Sequence, residues 1–250
     1  MRGKPVELSV HALTALLRKE NLGDPHPILA GGEAYVSPRF ATAVDQALSE
    51  ALNEAGLGQR DARDDFFGAL AHVQRAPAEY FGWVTTVDSS YAVLVAASGQ
   101  QAVLLTRIGD HVRFEHADRK LPIEALVRQL PDVRAGRGDS ISVRAAETAM
   151  ARPAGSVMRR AAATRPEQAR LLDQLLKAPR SGLAKLYAAR RDDRGRLVRS
   201  RDWITVVDVV GNGRWLVYPT FGQGERAINA VAGTPQLLVT KLAELAASAR

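Results

Sequence analysis

The chain has 250 residues, of which 46% are hydrophobic and 24% are charged, a composition typical of a globular protein and not of a disordered one. It contains no cysteine, which excludes disulfides, thiolate metal sites and cysteine nucleophiles. Its formal net charge of +7 suits a nucleic acid, a membrane surface or an acidic protein as partner, unless it reflects only a general bias toward arginine.

The N-terminal segment, MRGKPVELSVHALTALLRKE, has basic residues but lacks the apolar core of about 7–15 residues that a signal peptide contains. No apolar run elsewhere in the sequence approaches the roughly 20 residues that span a bilayer. We therefore expect a cytoplasmic protein that does not insert into a membrane.

Three helices are predicted before the first strand. The first is LSVHALTALLRKENLG, which ends near Gly23. The second is SPRFATAVDQALSEALNEAGLG, with Ser37 as its cap, Pro38 as its first residue and Gly56 as its stop. The third is ARDDFFGALAHVQ, and an Ala-Pro pair ends it.

Four strands follow, separated by short polar or glycine-containing breaks. They are EYFGWVTTV, YAVLVAAS, QAVLLTRIG and HVRFEHA, and the first break, Asp88 to Ser90, predicts a tight hairpin. The helix LPIEALVRQLP comes next, with Pro122 near its first position. The stretch PDVRAGRGDSISVRAAETAMARPAGS is the best linker candidate, although DSISVR could form a short strand.

The second half of the chain repeats this order of elements. The helix RPEQARLLDQLLK and a second Ala-Pro pair precede the strands GLAKLYAARR, DWITVVDVV, GRWLVYPTF and RAINAVA. The helix TPQLLVTKLAEL follows, with Thr234 as its cap and Pro235 at its first position. The order of elements therefore predicts two copies of one unit.

The spacing between the copies shows where they differ in length. The two Ala-Pro pairs are 102 residues apart, whereas Pro122 and Pro235 are 113 residues apart. Nearly all of the extra length lies between the first and second strands, in the stretch RRDDRGRLVRSRD. We predict that this stretch is an elongated hairpin that projects from the sheet, with Asp192, Asp193 and Gly195 in its turn.

Two copies of such a unit can join into one sheet. A four-stranded sheet needs one face covered, and two copies satisfy this need by joining into one sheet with helices at its sides. We predict an α+β protein whose central, mainly antiparallel sheet is flanked by two helical bundles in a pseudo-two-fold internal repeat. Residues 1–250 would form a single domain, with an N-terminal subdomain of about 1–132 and a C-terminal subdomain of about 156–250. Two separable domains are the rival arrangement.

Several segments, in order along nearly the whole chain, match a known family. They are ELSVHALTALL; AEYFGWV leading into AVLVAASGQQAVLLTR; LPIEALVRQLP followed by GRGDSISV; and ITVVDVVGNGRWLV before the last helix. On these segments the chain resembles the EspG family, cytosolic chaperones associated with type VII (ESX) secretion in actinobacteria. The resemblance implies the fold predicted above and a protein without a cofactor. It also implies that the chain binds the exposed tip of a PPE protein in a PE–PPE heterodimer and keeps it soluble until export.

The chain departs from the family pattern at one place. Members commonly show a Gly-Gln pair just after the second Ala-Pro, where this chain has Gly182-Leu183-Ala184-Lys185. The edge of the sheet could differ there, and the partner could therefore be an unusual PE–PPE-like pair.

No arrangement of polar residues in the sequence matches a catalytic or metal site. His111 and His116 are five residues apart on a predicted strand and would point to opposite faces. GDSISV lacks the second glycine of a Gly-x-Ser-x-Gly elbow, and GNGRWL and FGQGER lack the third glycine of a dinucleotide site. Asp208, within VVDVV, is more simply structural or solvent-facing than catalytic. We expect no enzyme activity, no metal and no cofactor.

The residues predicted to contact a partner lie in the second half. Aromatic side chains and arginine dominate many interfaces, although core packing is the simpler role for each aromatic. Trp215 alternates with Leu216, so one of the two should face the core. The hairpin arginines would act mainly on the association rate, or would form a solvated tip without a role. The predicted partner-binding residues are Arg194, Arg196, Arg199, Arg201, Trp203, Tyr218 and Phe221.

A nucleic-acid-binding protein is the main alternative. Residues 1–125 carry 12 Lys and Arg against 16 Asp and Glu, whereas residues 126–250 carry 22 against 11. Phosphate binding through this basic half would depend steeply on salt. Against this alternative, the basic stretch has no interleaved aromatics, and the sequence contains no helix-turn-helix or RNP-like pattern.

Overall fold

The computed structural model describes residues 4–32, 38–144, 167–222 and 225–249, and these form one eleven-stranded sheet with helices on both faces. The strands are β1 (Val6–Ser9), β2 (Ala78–Thr86), β3 (Ser90–Ala97), β4 (Ala102–Ile108), β5 (His111–Ala117), β6 (Ile141–Arg144), β7 (Arg180–Arg191), β8 (Leu197–Arg199), β9 (Ile204–Val209), β10 (Gly213–Gly222) and β11 (Glu225–Ala232). The described helices are α1 (Val10–Lys19), α2 (Ala41–Glu54), α3 (Arg60–Arg75), α4 (Pro122–Val127), α5 (Glu167–Lys177) and α6 (Pro235–Ser248), with 3-10 turns at Pro27–Leu29 and Pro38–Phe40.

The strands of the two halves meet at the centre of the sheet. The strand order is β1-β5-β4-β3-β2-β7-β9-β10-β11-β6, every neighbouring pair is antiparallel, and β8 pairs with β7 beside this path. Strand β2 pairs with β7 from Ala78↔Arg190 to Thr86↔Gly182. The predicted antiparallel sheet shared by both halves is therefore confirmed.

Close backbone approach marks the joint between β2 and β7. Gly82 pairs with Leu186 near the middle of this joint. A Cβ atom on Gly82 would overlap the carbonyl oxygen of Lys185 and would lie 2.6 Å from Cδ2 of Leu186. Only glycine fits this position without a shift of the neighbouring strand, which explains the glycine in an otherwise bulky strand.

The helices cover the two faces of the sheet differently. On the first face, which carries Phe81 and Tyr187, α1, α2 and α3 pack over the strands of the N-terminal half. Helix α5 packs on the same face near the β6 edge, where Leu172 joins a core cluster with Trp215. On the second face, α4 and α6 share one core cluster with residues of both halves. The central strands of the first face lie between these two groups of helices.

The ends of two helices follow their local sequence. Ser9 caps α1 by accepting a hydrogen bond of 3.0 Å from the backbone N–H of Ala12. Thr234 caps α6 in the same way through Leu237, at 3.1 Å, and Pro235 occupies the first position as predicted. Gly56 follows α2 with a φ of +79°, the left-handed conformation expected at a helix stop. Ser37, the predicted cap of this helix, lies outside the described residues.

The start of the chain differs from the prediction of a helix from Leu8. Residues Val6–Ser9 instead form strand β1, and the helix begins at Val10. In VELS the apolar residues alternate with polar ones, and Val6 and Leu8 are buried while Glu7 is exposed. Strand β5 supplies the hydrogen-bonding partner, a tertiary contact that local helix preference does not reveal.

The arginine-rich stretch forms the predicted hairpin, but the base of the hairpin lies within the sheet. Strand β8 pairs with the last three residues of β7, and the backbone N–H of Arg191 bonds to the carbonyl of Pro77 on the other side, at 3.0 Å. Only the turn from Asp192 to Arg196 extends past these strands, with Gly195 at a φ of +75°. The prediction that the whole stretch projects from the sheet is therefore wrong, because β7 extends to Arg191.

Part of the predicted linker is ordered as an edge strand. Ile141–Arg144, the last four residues of DSISVR, form β6 and pair with β11.

Trp215 and Leu216 are both buried, on opposite faces, so both face a core, and the expectation that one of the two does is wrong. The cover that α5 and β6 provide on the first face is the physical reason, since they bury Trp215 there.

Candidate partner-binding surface

Four aromatic rings form a continuous row on the first face, in the part of the sheet between the two groups of helices. Phe81 stacks on Tyr187 with centroids 5.4 Å apart. The indole of Trp83 meets both rings edge-on, at 5.9 and 5.8 Å, and Trp203 lies 6.4 Å from Tyr187. We call Phe81, Trp83, Tyr187 and Trp203 the aromatic strip. Its rings lie in the edge-to-face and offset geometries that aromatic groups prefer.

The aromatic strip is partly open to solvent. Trp83 is 39% exposed and the neighbouring Leu183 is 38% exposed, although both lie on central strands of a large sheet. Trp203 is half-buried, whereas Phe81 and Tyr187 are buried beneath the surface. The strip therefore has a buried base, one exposed indole and one half-buried indole, an arrangement that leaves apolar area available for a partner.

Cationic side chains lie over the rings of the strip. The ammonium of Lys185 is 4.3 Å from the ring centre of Trp203, and the guanidinium carbon of Arg199 is 4.9 Å from that of Tyr187. Both distances are in the range of cation–π attraction. The surface is thus apolar and positively charged at the same time.

The four hairpin arginines differ in position. Arg199, on β8, contacts the strip. Arg196 instead pairs with Asp192 within the turn, at 2.8 Å, and Arg194 and Arg201 are exposed. Hydrogen bonds from the backbone N–H and then the guanidinium of Arg196 lower the pKa of Asp192 below its usual value. The structure therefore joins only Arg199 of this group directly to the strip.

The three predicted aromatic contacts come together in one cleft. Trp203, Tyr218 and Phe221 line a cleft of about 260 Å³ where β9 begins and β10 approaches its end. We call it the C-terminal cleft. Tyr218 lies 5.0 Å from Lys241 of α6, whose pKa is raised by its hydrogen bond to Glu244. Trp203 belongs both to the aromatic strip on the first face and to this cleft, whose Tyr218 packs against the core of the second face.

An ion pair and a stacked ring border the C-terminal cleft. Phe221 is 67% exposed, and the guanidinium carbon of Arg226 lies 5.4 Å from its ring centre. Arg226 also bonds to Asp202, at 2.8 Å. Phe221 and Arg226 face each other on the paired strands β10 and β11. Phe221 thus presents a large exposed aromatic surface that a neighbouring side chain holds in place.

A buried ionic cluster, which the sequence analysis missed, supports the strip from below. His26 Nε2 lies 3.3 Å from Glu79 Oε2, and Arg191 Nη2 lies 3.7 Å from Glu79 Oε1. The ring of His26 meets Phe81 edge-on at 4.7 Å. Arg191 also donates to the carbonyl oxygens of Gly195, at 2.9 Å, and of Gln74. One arginine therefore connects the turn of the hairpin, the end of α3 and strand β2.

Asp208 is structural, one of the two roles that the sequence analysis predicted, and its partner is Arg214. The guanidinium of Arg214 bonds to both carboxylate oxygens of Asp208, at 2.7 and 2.8 Å. A third bond of 2.8 Å goes to the carbonyl of Pro131. Both side chains are buried, and the pair holds the segment before β6 against the second face.

Comparison with known proteins identifies the family of this chain. The model of the EspG family matches residues 9–244. The chain belongs to the EspG family. No curated protein matches the sequence.

A solved structure shows the same fold as this EspG-family chain. It is the Mycobacterium tuberculosis type VII secretion system chaperone EspG5 in complex with a PE25–PPE41 dimer. The match has a TM-score of 0.63 at 15% sequence identity and covers 99% of this chain and 97% of that chain. The resemblance to the EspG family that the sequence predicted is thereby confirmed.

Among the described residues of this EspG-family chain, no three His, Asp or Glu side chains are grouped so that they could hold a metal ion. His111 instead lies 3.4 Å from Glu7 of the neighbouring strand. Within the same part of the chain, no helix is long and apolar enough to cross a membrane.

Proposed function

We propose that this chain is a cytoplasmic type VII secretion chaperone, without catalytic activity or a cofactor, that binds a secreted PE–PPE-like heterodimer through the aromatic strip and the C-terminal cleft. One observation carries the proposal: an EspG-family chain leaves two partly exposed tryptophans, packed against two buried aromatic rings, at the centre of its sheet. The complex of EspG5 with the PE25–PPE41 dimer supports the class of client. The chaperone would keep its client soluble by covering apolar surface that the client cannot leave exposed.

The size and chemistry of the surface suit such a client. On the first face the strip crosses β2, β7 and the start of β9, about 10 Å at the usual strand spacing, which matches the width of an α-helix, about 10 Å. Burial of apolar area stabilises a complex by roughly 25 cal/mol per Å² before the costs of association. Tryptophan, tyrosine and arginine, the residue types that most often dominate interfaces, are concentrated here.

The arrangement of strands supports a pseudo-two-fold repeat in a single domain. On one side of the central joint the order is β2-β3-β4-β5, and on the other side it is β7-β9-β10-β11. We infer that these two series are the copies detected in the sequence, each with helices at its side. The joint between β2 and β7 would lie on the pseudo-two-fold axis, and the proposed client surface lies beside it.

Replacement of Trp203 tests the binding surface. The chain is co-expressed with candidate PE–PPE pairs, and complexes are isolated by size exclusion. We expect Trp203→Ala to weaken the captured complex by about 30-fold, because an indole shared by the strip and the cleft has the character of an interface hot spot. Phe40→Ala, which removes a ring that is 51% exposed and belongs to neither the strip nor the cleft, should bind as the unaltered chain does. Equal losses in both variants, or none in Trp203→Ala, would contradict the proposal.

Charge reversal at the hairpin tests the role of its arginines. In Arg199→Glu/Arg201→Glu we expect slower client association at low salt and little change in dissociation, because exposed charges act through steering. The control, Arg119→Glu/Lys120→Glu, makes the same change of charge at exposed positions before α4. Identical association rates in the two double variants would show that the hairpin does not take part in client association. Tight, steeply salt-dependent binding of random DNA would instead favour the nucleic-acid alternative.

A further inference from the structure

A second cleft lies at the other end of the aromatic strip. Its volume is about 320 Å³, and the loop before α2 and the adjoining ends of β2, β3 and β4 surround it. Trp83 is shared between this cleft and the strip. We call it the N-terminal cleft, and its described lining residues are Pro27, Ile28, Ala30, Trp83, Val84, Thr85, Ser90, Tyr91, Ala92, Arg107 and Gly109.

One charged group faces a mostly apolar lining in the N-terminal cleft. Arg107 is the only charged side chain among the described lining residues. Its Nη1 donates to the carbonyl oxygens of Ile28, at 2.8 Å, and of Ala30, at 2.7 Å, and its Nε donates to that of Gly109, at 2.9 Å. Backbone groups therefore hold the guanidinium in one orientation without neutralising it.

The charge of Arg107 has no acidic partner in the described part of the chain. The nearest acidic residue along the chain, Asp110, lies 4.0 Å from His11, and no described carboxylate is within 4.0 Å of Arg107. A fixed guanidinium beside an indole and aliphatic side chains is complementary to a carboxylate next to an apolar side chain. Desolvation by such walls strengthens the attraction between the two charges.

We propose that the N-terminal cleft binds an acidic residue of the client together with an adjacent apolar side chain, with the carboxylate at Arg107 and the apolar group against Trp83. The inference rests on the proposed function and specifies the chemistry of the client segment. The aromatic strip then extends from the N-terminal cleft to Trp203, and the client segment crosses the first face of the sheet along it.

A dipeptide probe tests the chemistry of the cleft without a client. N-acetyl-Leu-Asp-amide is titrated at millimolar concentration while the indole N–H signal of Trp83, assigned with Trp83→Phe, is followed by NMR. We expect a saturable shift, with binding about tenfold weaker for N-acetyl-Leu-Asn-amide, because the amide lacks the charge that Arg107 attracts. Equal affinity for the two dipeptides, or no shift, would overturn the proposal.

Two kinds of variant distinguish a loss of binding in the cleft from damage to the surrounding structure. Arg107→Gln should abolish the preference for the acidic dipeptide and Arg107→Lys should retain part of it, but both also alter the bonds to the loop. Ser90→Trp leaves Arg107 unchanged and fills the cleft from an exposed strand position, so it should abolish dipeptide binding. Ile108→Trp adds the same ring on the opposite face of β4 and should bind as the unaltered chain does. Dipeptide binding by Ser90→Trp at the unaltered affinity would overturn the assignment of the site.

The same variants decide whether a client uses the cleft. We expect Ser90→Trp to weaken capture of a co-expressed PE–PPE pair by about tenfold and Ile108→Trp to leave it unchanged. Normal capture by Ser90→Trp would overturn the inference and leave the proposed function intact. If the unaltered chain captures no PE–PPE pair, the proposed function fails, and the part of the inference that concerns the client fails with it. The dipeptide titration still decides the chemistry of the cleft in that case.

Discussion

At the scale of single residues, the buried pair of Asp208 and Arg214 shows how a charge is retained inside the sheet. The two residues face each other on the adjacent strands β9 and β10, and both side chains are almost completely buried. Removing one partner of such a pair leaves the other charge without compensation in a low-dielectric environment. The pair is therefore a point at which one substitution should affect the whole fold.

We predict that Asp208→Ala lowers the free energy of unfolding by about 3–5 kcal/mol, because it leaves the guanidinium of Arg214 buried and unpaired. Asp45→Ala makes the same substitution in the exposed ion pair with Lys19 and should cost about 0–1 kcal/mol. Urea denaturation of both variants measures the difference. Similar midpoints for the two proteins would show that the buried pair contributes no more than the exposed one.

The role of some buried charged residues could be predicted from the sequence, and the role of others could not. Asp208 could be recognised as structural because it interrupts an apolar strand, and the GNG turn that follows brings Arg214 opposite to it. Glu79 also interrupts an apolar strand, but its partners His26 and Arg191 are 53 residues before it and 112 residues after it. Contacts across such distances depend on which strands become neighbours, which local patterns do not determine.

At the scale of elements, the joint between β2 and β7 depends on close contact of two backbones. The order and type of the strands could be predicted from alternation and turn residues, but the register that places Gly82 against Leu186 could not. The N-terminal strand β1 was missed for the same reason, since four residues carry too little pattern without the partner β5. The open aromatic strip could not be predicted either, because it depends on which strands the helices leave uncovered.

We predict that Gly82→Ala destabilises the protein by about 1–3 kcal/mol, because the added methyl group forces β2 away from β7. Gly68→Ala, on the exposed side of α3, meets no atom within 4 Å and should stabilise by about 0.5–1 kcal/mol through helix preference. Thermal unfolding of the two variants gives the comparison. If both substitutions stabilise the protein, the strands β2 and β7 accommodate the added methyl group without strain.

At the scale of the whole molecule, the central joint and the shared core on the second face should make the two halves cooperate. Residues of α4, from the first half, and of α6, from the second, belong to one core cluster with strands of both halves. A boundary between independent domains has few contacts across it, which is the opposite of this arrangement.

We predict that cutting the chain at a protease site inserted within residues 145–166 leaves the halves associated. Both fragments should co-elute at the volume of the intact protein and unfold in one transition, because strand pairing and the shared core do not depend on that segment. Size exclusion of the cut protein, followed by thermal unfolding, tests this expectation. Two fragments that separate and remain folded would establish the rival arrangement of two domains.

The outer borders of the sheet limit how other polypeptides can pair with it. Strand β1, at one border, has four residues, and β6, at the other, has four described residues. Long unpaired borders invite other polypeptides to add a strand by backbone hydrogen bonding, irrespective of side chains. Because the described parts of both borders offer so little backbone, we expect little strand addition there, and a client of the proposed kind would be selected by the side chains in the middle of the sheet.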